Sequence, residues 1–422
     1  MNKLSAIILP FALAVSASAQ DAVTTLAGQA LVSGAANGAG TNALFSDPAA
    51  IVTDTNGNFF VADSQNHAIR KVTTNGVATT FAGQLGVSGT ANGTGTNAQF
   101  NTPSGLAFDG NGNLFVADTG NGTIREITPA GAVSTFAGIA GPGGFADGAA
   151  GGAQFNSPLG IAVAPGGDVF VADCGNHCIR RISGGTVSTF TGSPQIWGSA
   201  NGTGTNAQFN GPVGLAFDSR GNLFVSDANN DTIRKITTNG VVTTFAGSAG
   251  LDGSADGVAT AARFRSPAEL AFDQKGNLFV ADSLNQVIRE IATNGIVSTV
   301  SGAAGISGSN DGTNGIGRFY NPYGLAIGTD GALFMTDTYN ELVRAVLVPF
   351  KLSLQISGAA RTVTISWDAV IGKKYQVQFK DDLAVTWSNL GSPVTATNLN
   401  LSATDNAAGA SPQRIYRVLV TP

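Results

Sequence analysis

One set of side chains that could do chemistry in this chain comes in sixes. Asp63, Asp118, Asp173, Asp227, Asp282 and Asp337 recur every 55 residues, with one step of 54. An Asn stands three residues after each (Asn66, Asn121, Asn176, Asn230, Asn285, Asn340) and an Arg seven residues after each (Arg70, Arg125, Arg180, Arg234, Arg289, Arg344). A reaction needs its acid or base once, not six times, so a structural role is expected for this set. Asp and Asn can bond the backbone of their own turn. If the hairpin pairs Asp63 with Ala68, Arg70 lies diagonally on the same sheet face, within reach of Asp63.

Function is expected where the pattern breaks. Glu269 stands at a position that is Gly in most repeats, Arg265, Tyr320 and Tyr323 are its neighbours in phase, and Asp47 occupies a pre-proline position once. A carboxylate beside an Arg at a channel mouth is a candidate perturbed acid or base. These five are the expected binding residues, and no residue is assigned as catalytic. His67, His177, Asp231 and Glu341 share one turn phase, and Trp197 lies in a long loop. Drift on a solvated rim is the leading account of such variation, because exposed positions vary freely.

Cys174 and Cys178 lie four apart within one turn. In an oxidising compartment they could close it as a disulfide, or remain inert thiols. His177 between them does not make a metal site, because a fourth ligand and a second cluster are missing. The chain has no G-x-S-x-G, H-E-x-x-H or phosphate-loop pattern.

The elements that must position these residues are short strands. The stretch from Gly112 to Arg125, Gly-Asn-Leu-Phe-Val-Ala-Asp-Thr-Gly-Asn-Gly-Thr-Ile-Arg, reads as turn, strand, turn, strand, and recurs with the period above. A Phe (Phe45, Phe100, Phe155, Phe209, Phe264, Phe319) and, three residues on, a Pro (Pro48, Pro103, Pro158, Pro212, Pro267, Pro322) open each repeat. Pro cannot donate to a ladder, so it marks the start of a strand. About four hairpin-linked strands fit each repeat, and sheets repeated at this period build a propeller. A Gly-rich loop joins successive repeats. It carries an Asx-Gly pair at fixed phase (Asn37, Asn92, Asp147, Asn201, Asp256, Asp311), which favours a tight turn with positive φ.

Val23–Gly28 matches the last strand of later repeats, such as Val133–Gly138, and the sixth repeat lacks that strand. The first strand should therefore complete the last sheet and close the ring, leaving no exposed edge. The expected fold is an all-β, six-bladed β-propeller closed by an N-terminal strand and followed by a small β-sandwich. Because successive strands alternate in direction, the Asp-x-x-Asn turn and the Gly-rich loop share one face. That loop-rich face is the default binding surface, and Glu269 falls on an innermost strand near the central channel.

Repeats of the form P-x-G-[LI]-A-x-D-x-x-G-N-[LV]-F-V-A-D-x-x-N-x-x-I-R resemble NHL repeats, which build six-bladed propellers. The resemblance covers residues 22–349. Ala50 and Glu269 depart from the Gly after Pro, and Val343 replaces the Ile of the sixth repeat. Enzymes of this broad class, the amidating lyases and lactonases, hold metals at the channel with His or carboxylates. Two His in the whole chain exclude a His-rich site and leave an all-carboxylate calcium site open.

Residues 1–19 read as a secretory signal peptide: Lys3, an apolar Leu4–Val15 core and Ala17-Ser18-Ala19. Residues 20–349 form the propeller. Residues 350–422 alternate at period two and resemble fibronectin-type or immunoglobulin-like end modules. The chain has 422 residues, 12% charged, with a formal charge of -5. That balance argues against nucleic acid, and no later segment is long enough to span a bilayer. The expectation is a secreted, periplasmic or envelope-bound monomer that binds a protein or glycan partner without turnover. The alternative is a hydrolase or lyase at the channel, lactonase-like and calcium-dependent.

Overall fold

The computed structural model describes residues 6–7, 22–313, 316–347, 352–357, 362–369, 374–381, 384–398, 400–408 and 414–421. The chain divides into two compact units, Ala22–Val346 and a second made of Met1–Asp21 with Leu347–Pro422.

Within the first unit, six sheets share one design. In the second repeat the sheet runs from Pro103–Phe108 through Leu114–Asp118, Thr123–Ile127 and Ala132–Ala137 to a two-residue outer strand, Gly93–Thr94. The Gly-rich loop, expected as plain connection, thus supplies a fifth strand before the chain crosses to the innermost one. Of the glycines in its Asx-Gly pairs, Gly148 has a positive φ and Gly38, Gly93, Gly202, Gly257 and Gly312 do not, which corrects the expected positive-φ turn. A Cβ on Gly38 would lie 2.8 Å from the Asn42 carbonyl, and one on Gly93 2.9 Å from that of Asn97. Close backbone approach demands the glycine there.

The ring closes through the chain's own ends. One sheet is made of Gly312–Thr313, Ala22–Ala27, Leu342–Leu347, Leu333–Asp337 and Pro322–Ile327, with Val23 opposite Gly312. Each innermost strand packs on the next, and Pro322–Ile327 packs on Pro48–Thr53, so the six form a closed circle around the channel. Apolar residues from neighbouring sheets share cores. Phe60, Ala82 and Phe100 pack with Leu106, Leu114 and Val133, and the pattern repeats around the ring.

Each innermost strand carries a β-bulge that the sequence pattern does not announce. Pro103 lies opposite Asp118 and Leu106 opposite Val116, so Ser104 and Gly105 together face one residue of the partner. The bulge recurs at Ala268–Glu269 and Tyr323–Gly324. Bulges re-aim side chains, and Glu269 and Tyr323 each stand in one.

In the second unit, Leu352–Ser357, Thr362–Asp368 and Asn400–Asp405 form one antiparallel sheet. Lys374–Lys380 and Ile415–Thr421 anchor the other. Ile365, Trp367, Tyr375, Val377 and Tyr416 fill a common core. Of the leader expected over residues 1–19, Ala6–Ile7 is described, as a two-residue strand along Ile415 and Tyr416; the rest lies outside the described residues. No helix among the described residues is long and apolar enough to cross a membrane.

Candidate functional site

The sixfold polar set is consumed by the fold. Asp63 lies opposite Ala68 and Val61 opposite Arg70, so the guanidinium reaches back diagonally. Asp63 Oδ2 accepts from Arg70 Nη1 at 2.6 Å and from Asn66 Nδ2 at 2.9 Å, and Oδ1 accepts from the Ser46 N–H at 2.7 Å. Arg70 also donates to the Leu44 and Ala36 carbonyls and, at 2.9 Å, to Asn37 Oδ1. Its guanidinium lies over the Phe45 ring, 5.1 Å from the centroid. The Asx set is therefore a partner of the arginines, a role its regular spacing signals but its turn chemistry hides. Both ends of the ion pair are fully buried. Burial pushes the Asp63 carboxyl up to about 6 against the pull of Arg70, Asn66 and the Ser46 N–H. It stays ionised at neutral pH, and the same geometry recurs at Asp118, Asp173, Asp227, Asp282 and Asp337.

The turn residues His67, His177, Asp231 and Glu341, read as rim variation, form a second repeating clasp. All have a left-handed φ, between 54° and 61°. Each side chain accepts the N–H of the residue before the proline of the following inner strand. Thr102 and Gly211 donate to Nδ1 of His67 and His177, both at 3.1 Å. Ser266 donates to Asp231 at 2.8 Å and Asp47 to Glu341 at 2.7 Å, and Gln286 serves Asn321 at 2.6 Å. These pre-proline residues also have positive φ, Asp47 at 49° and Thr102 at 45°. That region is rare outside glycine, and the clasp holds the chain in it. With Nδ1 accepting, each imidazole is neutral and carries its proton on Nε2. Burial lowers the pKa of both histidines.

A third layer faces the channel. The hydroxyls of Ser64, Thr119, Ser283 and Thr338 donate to the carbonyls of Pro103, Pro158, Pro322 and Pro48. Cys174 and Ala228 occupy the equivalent places. Cys174 and Cys178 are free thiols, one of the two alternatives their spacing left open. Cys178 opens a strand and is buried in the sheet's core, whereas Cys174 opens the preceding turn. Burial, with Asp173 and Asp227 nearby, pushes the Cys174 thiol up to about 11, and burial raises Cys178 too. Neither has the lowered pKa of a reactive thiol.

Of the five expected binding residues, two, Glu269 and Tyr323, lie on adjacent inner strands. Glu269 sits in its bulge, half-buried on the channel wall. Burial pushes its carboxyl up to about 8, opposed by the Leu270 N–H alone. The other repeats show why the position is unusual. A Cβ on Gly105, Gly160, Gly214 or Gly324 would come within 2.0 to 2.4 Å of the next inner strand's carbonyl. Tyr323, one strand on, packs against the Ala49–Leu106 cluster. Burial first, then the charges of Glu269 and Cys174, raise the pKa of its hydroxyl.

The other three lie apart from this pair. Arg265 is exposed and pairs with Asp252 at 3.4 Å. Tyr320 stacks edge-on with Tyr339, centroids 5.1 Å apart. Asp47 lies beside Glu341, whose carboxyl is pushed up to about 7 by burial and by the charges of Asp47 and Asp63. Among the described residues no group of three or more His, Cys, Asp or Glu is placed to share a metal ion. The calcium site left open by the sequence finds no ligand set there.

Sequence reasoning missed a ring of exposed apolar side chains. Val32, Val87, Ile196, Leu251 and Ile306 each stand four residues past the glycine that ends an outer strand, and all are exposed. Leu31 and Trp197 extend the ring, Trp197 at 69% exposure. These loops are tied to the Asn turns, Leu31 N–H to the Asn340 carbonyl and Gly86 N–H to that of Asn66. The signal was available as one apolar residue at constant phase in an otherwise Gly-rich loop.

Six like sheets, inner strands in a circle and a repeated buried Asp–Arg fastener define a class, the all-β propeller built from NHL repeats. The NHL repeat family matches residues 100–127 and 155–182. The chain is similar to bovine NHL repeat-containing protein 2, 30% identical over an alignment of 327 residues, with 68% of this chain and 44% of that protein covered. The chain thus spans less than half the length of that relative. Among solved structures it resembles a Bacteroides thetaiotaomicron protein of unknown function, with TM-score 0.61, 20% identity and coverage of 78% of this chain and 76% of that one. An auxiliary nutrient binding protein of the same organism gives TM-score 0.59 at 13% identity, covering 77% and 76%. Likeness at such identities is likeness of fold.

Proposed function

We propose that the chain is a secreted or envelope-located propeller that binds a protein or glycan partner on its loop-rich face, as a monomer and without turnover. The observation that carries this is the ring of exposed apolar side chains, with Trp197 the most exposed of them. Exposed apolar groups rimmed by polar loops mark interaction surfaces, and a Trp with its ring in water is a common anchor for such contacts. The loops are held rigid from beneath by the buried Asp–Asn–Arg set, so little ordering would oppose binding. The test is a screen of glycans and envelope proteins against the whole chain. The paired substitution Trp197→Ala, Leu251→Ala should abolish any hit while leaving the melting temperature unchanged. Hits indifferent to that pair would remove the proposal.

One observation favours the channel alternative. Burial in its bulge on the inner strand pushes the Glu269 carboxyl up to about 8, the direction a general acid needs. A hydrolase or lyase using it should lose turnover of lactone or ester substrates in Glu269→Gln; turnover equal to that of the parent would exclude the residue.

A further inference from the structure

On the face opposite the Gly-rich loops, the turn between the first two strands departs from the common pattern in the third repeat and in the sixth, where Gly328 and Ala332 replace the Asp and Asn and neither place holds a carboxylate. In four repeats an Asp spends its carboxylate on its own turn, Asp54, Asp109, Asp218 and Asp273 accepting from Asn58, Asn113, Asn222 and Asn277. The third repeat keeps the backbone of this turn. Ala164 N–H bonds the Asp168 carbonyl at 2.8 Å, as Asp109 N–H bonds that of Asn113 at 2.9 Å. The side chains are changed: Ala164 replaces the Asp, and Asp168 replaces the Asn. The exchange releases the carboxylate from the turn, and Asp168 is bonded by Ser183 and Arg181 in its place.

Asp168 turns to Arg181 instead, accepting from Nε at 2.9 Å and Nη2 at 2.5 Å. At Arg181's position in the first and fourth repeats, Lys71 and Lys235 lie over Phe60 and Phe224, each 5.5 Å from the ring centroid. The equivalent ring, Phe170, stacks edge-on with Phe190 and Phe217 at 5.1 and 5.3 Å. Between the third and fourth sheets these groups and Thr238 line an open cavity of about 250 Å³. The ion pair at its rim stays in contact with water, Arg181 43% and Asp168 25% exposed.

We infer that this seam is a binding site for a single neutral sugar ring. The cavity is smaller than the roughly 300–1,000 Å³ typical of drug-sized ligands, which limits the occupant to one ring. The paired charges cancel, so an anion would meet Asp168 and an ammonium would meet Arg181. What the pair offers is adjacent donor and acceptor groups, the pattern that vicinal hydroxyls satisfy. The phenylalanine wall takes the C–H face of the ring, and the Thr238 hydroxyl adds a polar contact. A surface ion pair contributes little to stability, so its removal should be read in binding and not in folding.

The test is saturation-transfer NMR on the full chain with methyl glycosides of glucose, galactose, mannose and xylose, and with glucosamine and glucuronate as charged probes. At least one neutral glycoside should receive saturation. Ala164→Asp with Asp168→Asn, which restores the turn chemistry of the other repeats, should weaken its binding at least about tenfold. Arg181→Ala should do the same, and serves if the first variant folds poorly. Trp197→Ala should leave the signal intact, which separates this site from the loop-rich face. Absence of transfer to every neutral glycoside, equal binding of the charged probes, or binding untouched by both variants would each overturn the inference.

Discussion

At the scale of single residues, the two histidines are structural acceptors, and this gives them a pH signature. In the unfolded chain their pKa is near 6.5, and in the fold it is lower because burial disfavours the imidazolium. The unfolded state therefore takes up protons first as pH falls, so their contribution is whole above about 6.5 and is lost as pH drops from there through the folded value. Thermal melts of the parent should lose stability over that window more steeply than those of His67→Gln with His177→Gln, whose amides accept the same N–H without titrating. Equal slopes would show that Nδ1 does not carry the bond. Glu269 has the opposite sign. Its carboxyl ionises near 4.5 in the unfolded chain and at about 8 in the fold. Stability is whole below 4.5 and is lost as pH rises through 8, so Glu269→Gln should flatten the alkaline side of the stability profile. A parent profile already flat between those limits would mean the carboxylate is hydrated in the channel.

At the scale of elements, the buried arginine does more than pair with an aspartate. Arg234 joins the hairpin (Asp227), the strand-entry loop (Gln208 carbonyl) and the outer loop (Ala200 carbonyl and Asn201). Arg234→Met keeps the bulk over Phe209 but leaves the Asp227 carboxylate buried without its cation. Breaking one side of a buried pair costs about 3–5 kcal/mol. Denaturant unfolding should register a loss of that order, against less than about 1 kcal/mol for an exposed pair such as Arg265 with Asp252. A loss as small as the surface pair's would mean water reaches the fastener.

At the scale of the whole molecule, closure rests on one strand. Ala22–Ala27 lies between Gly312–Thr313 and Leu342–Leu347, and Thr25 ties it further to Asp311 through both its N–H and its hydroxyl, each at 3.0 Å. A chain beginning at Gln29 would expose the edge of Leu342–Leu347, a template for association. It should melt earlier than the parent and elute as aggregates in size-exclusion chromatography. A monomeric truncation with the parent's melting temperature would show that the ring is held by other contacts.

The order of the four longer strands, the recurrence of the sheet and the first strand's place in the last sheet were legible in the sequence, because period, proline position and turn residues are local and recur; the two-residue fifth strand from the Gly-rich loop was not. So was the diagonal reach of Arg70 to Asp63, which follows from hairpin register alone. The bulge that turns Glu269 and Tyr323 toward the channel was not legible, nor was the clasp of His67 on Thr102, nor the seam where Asp168 meets Arg181 beside Phe217. Each joins residues of different sheets, or depends on a one-residue irregularity in pairing. Only the packing of one sheet on the next fixes which side chains face each other there. Period two and period 55 carry no record of it.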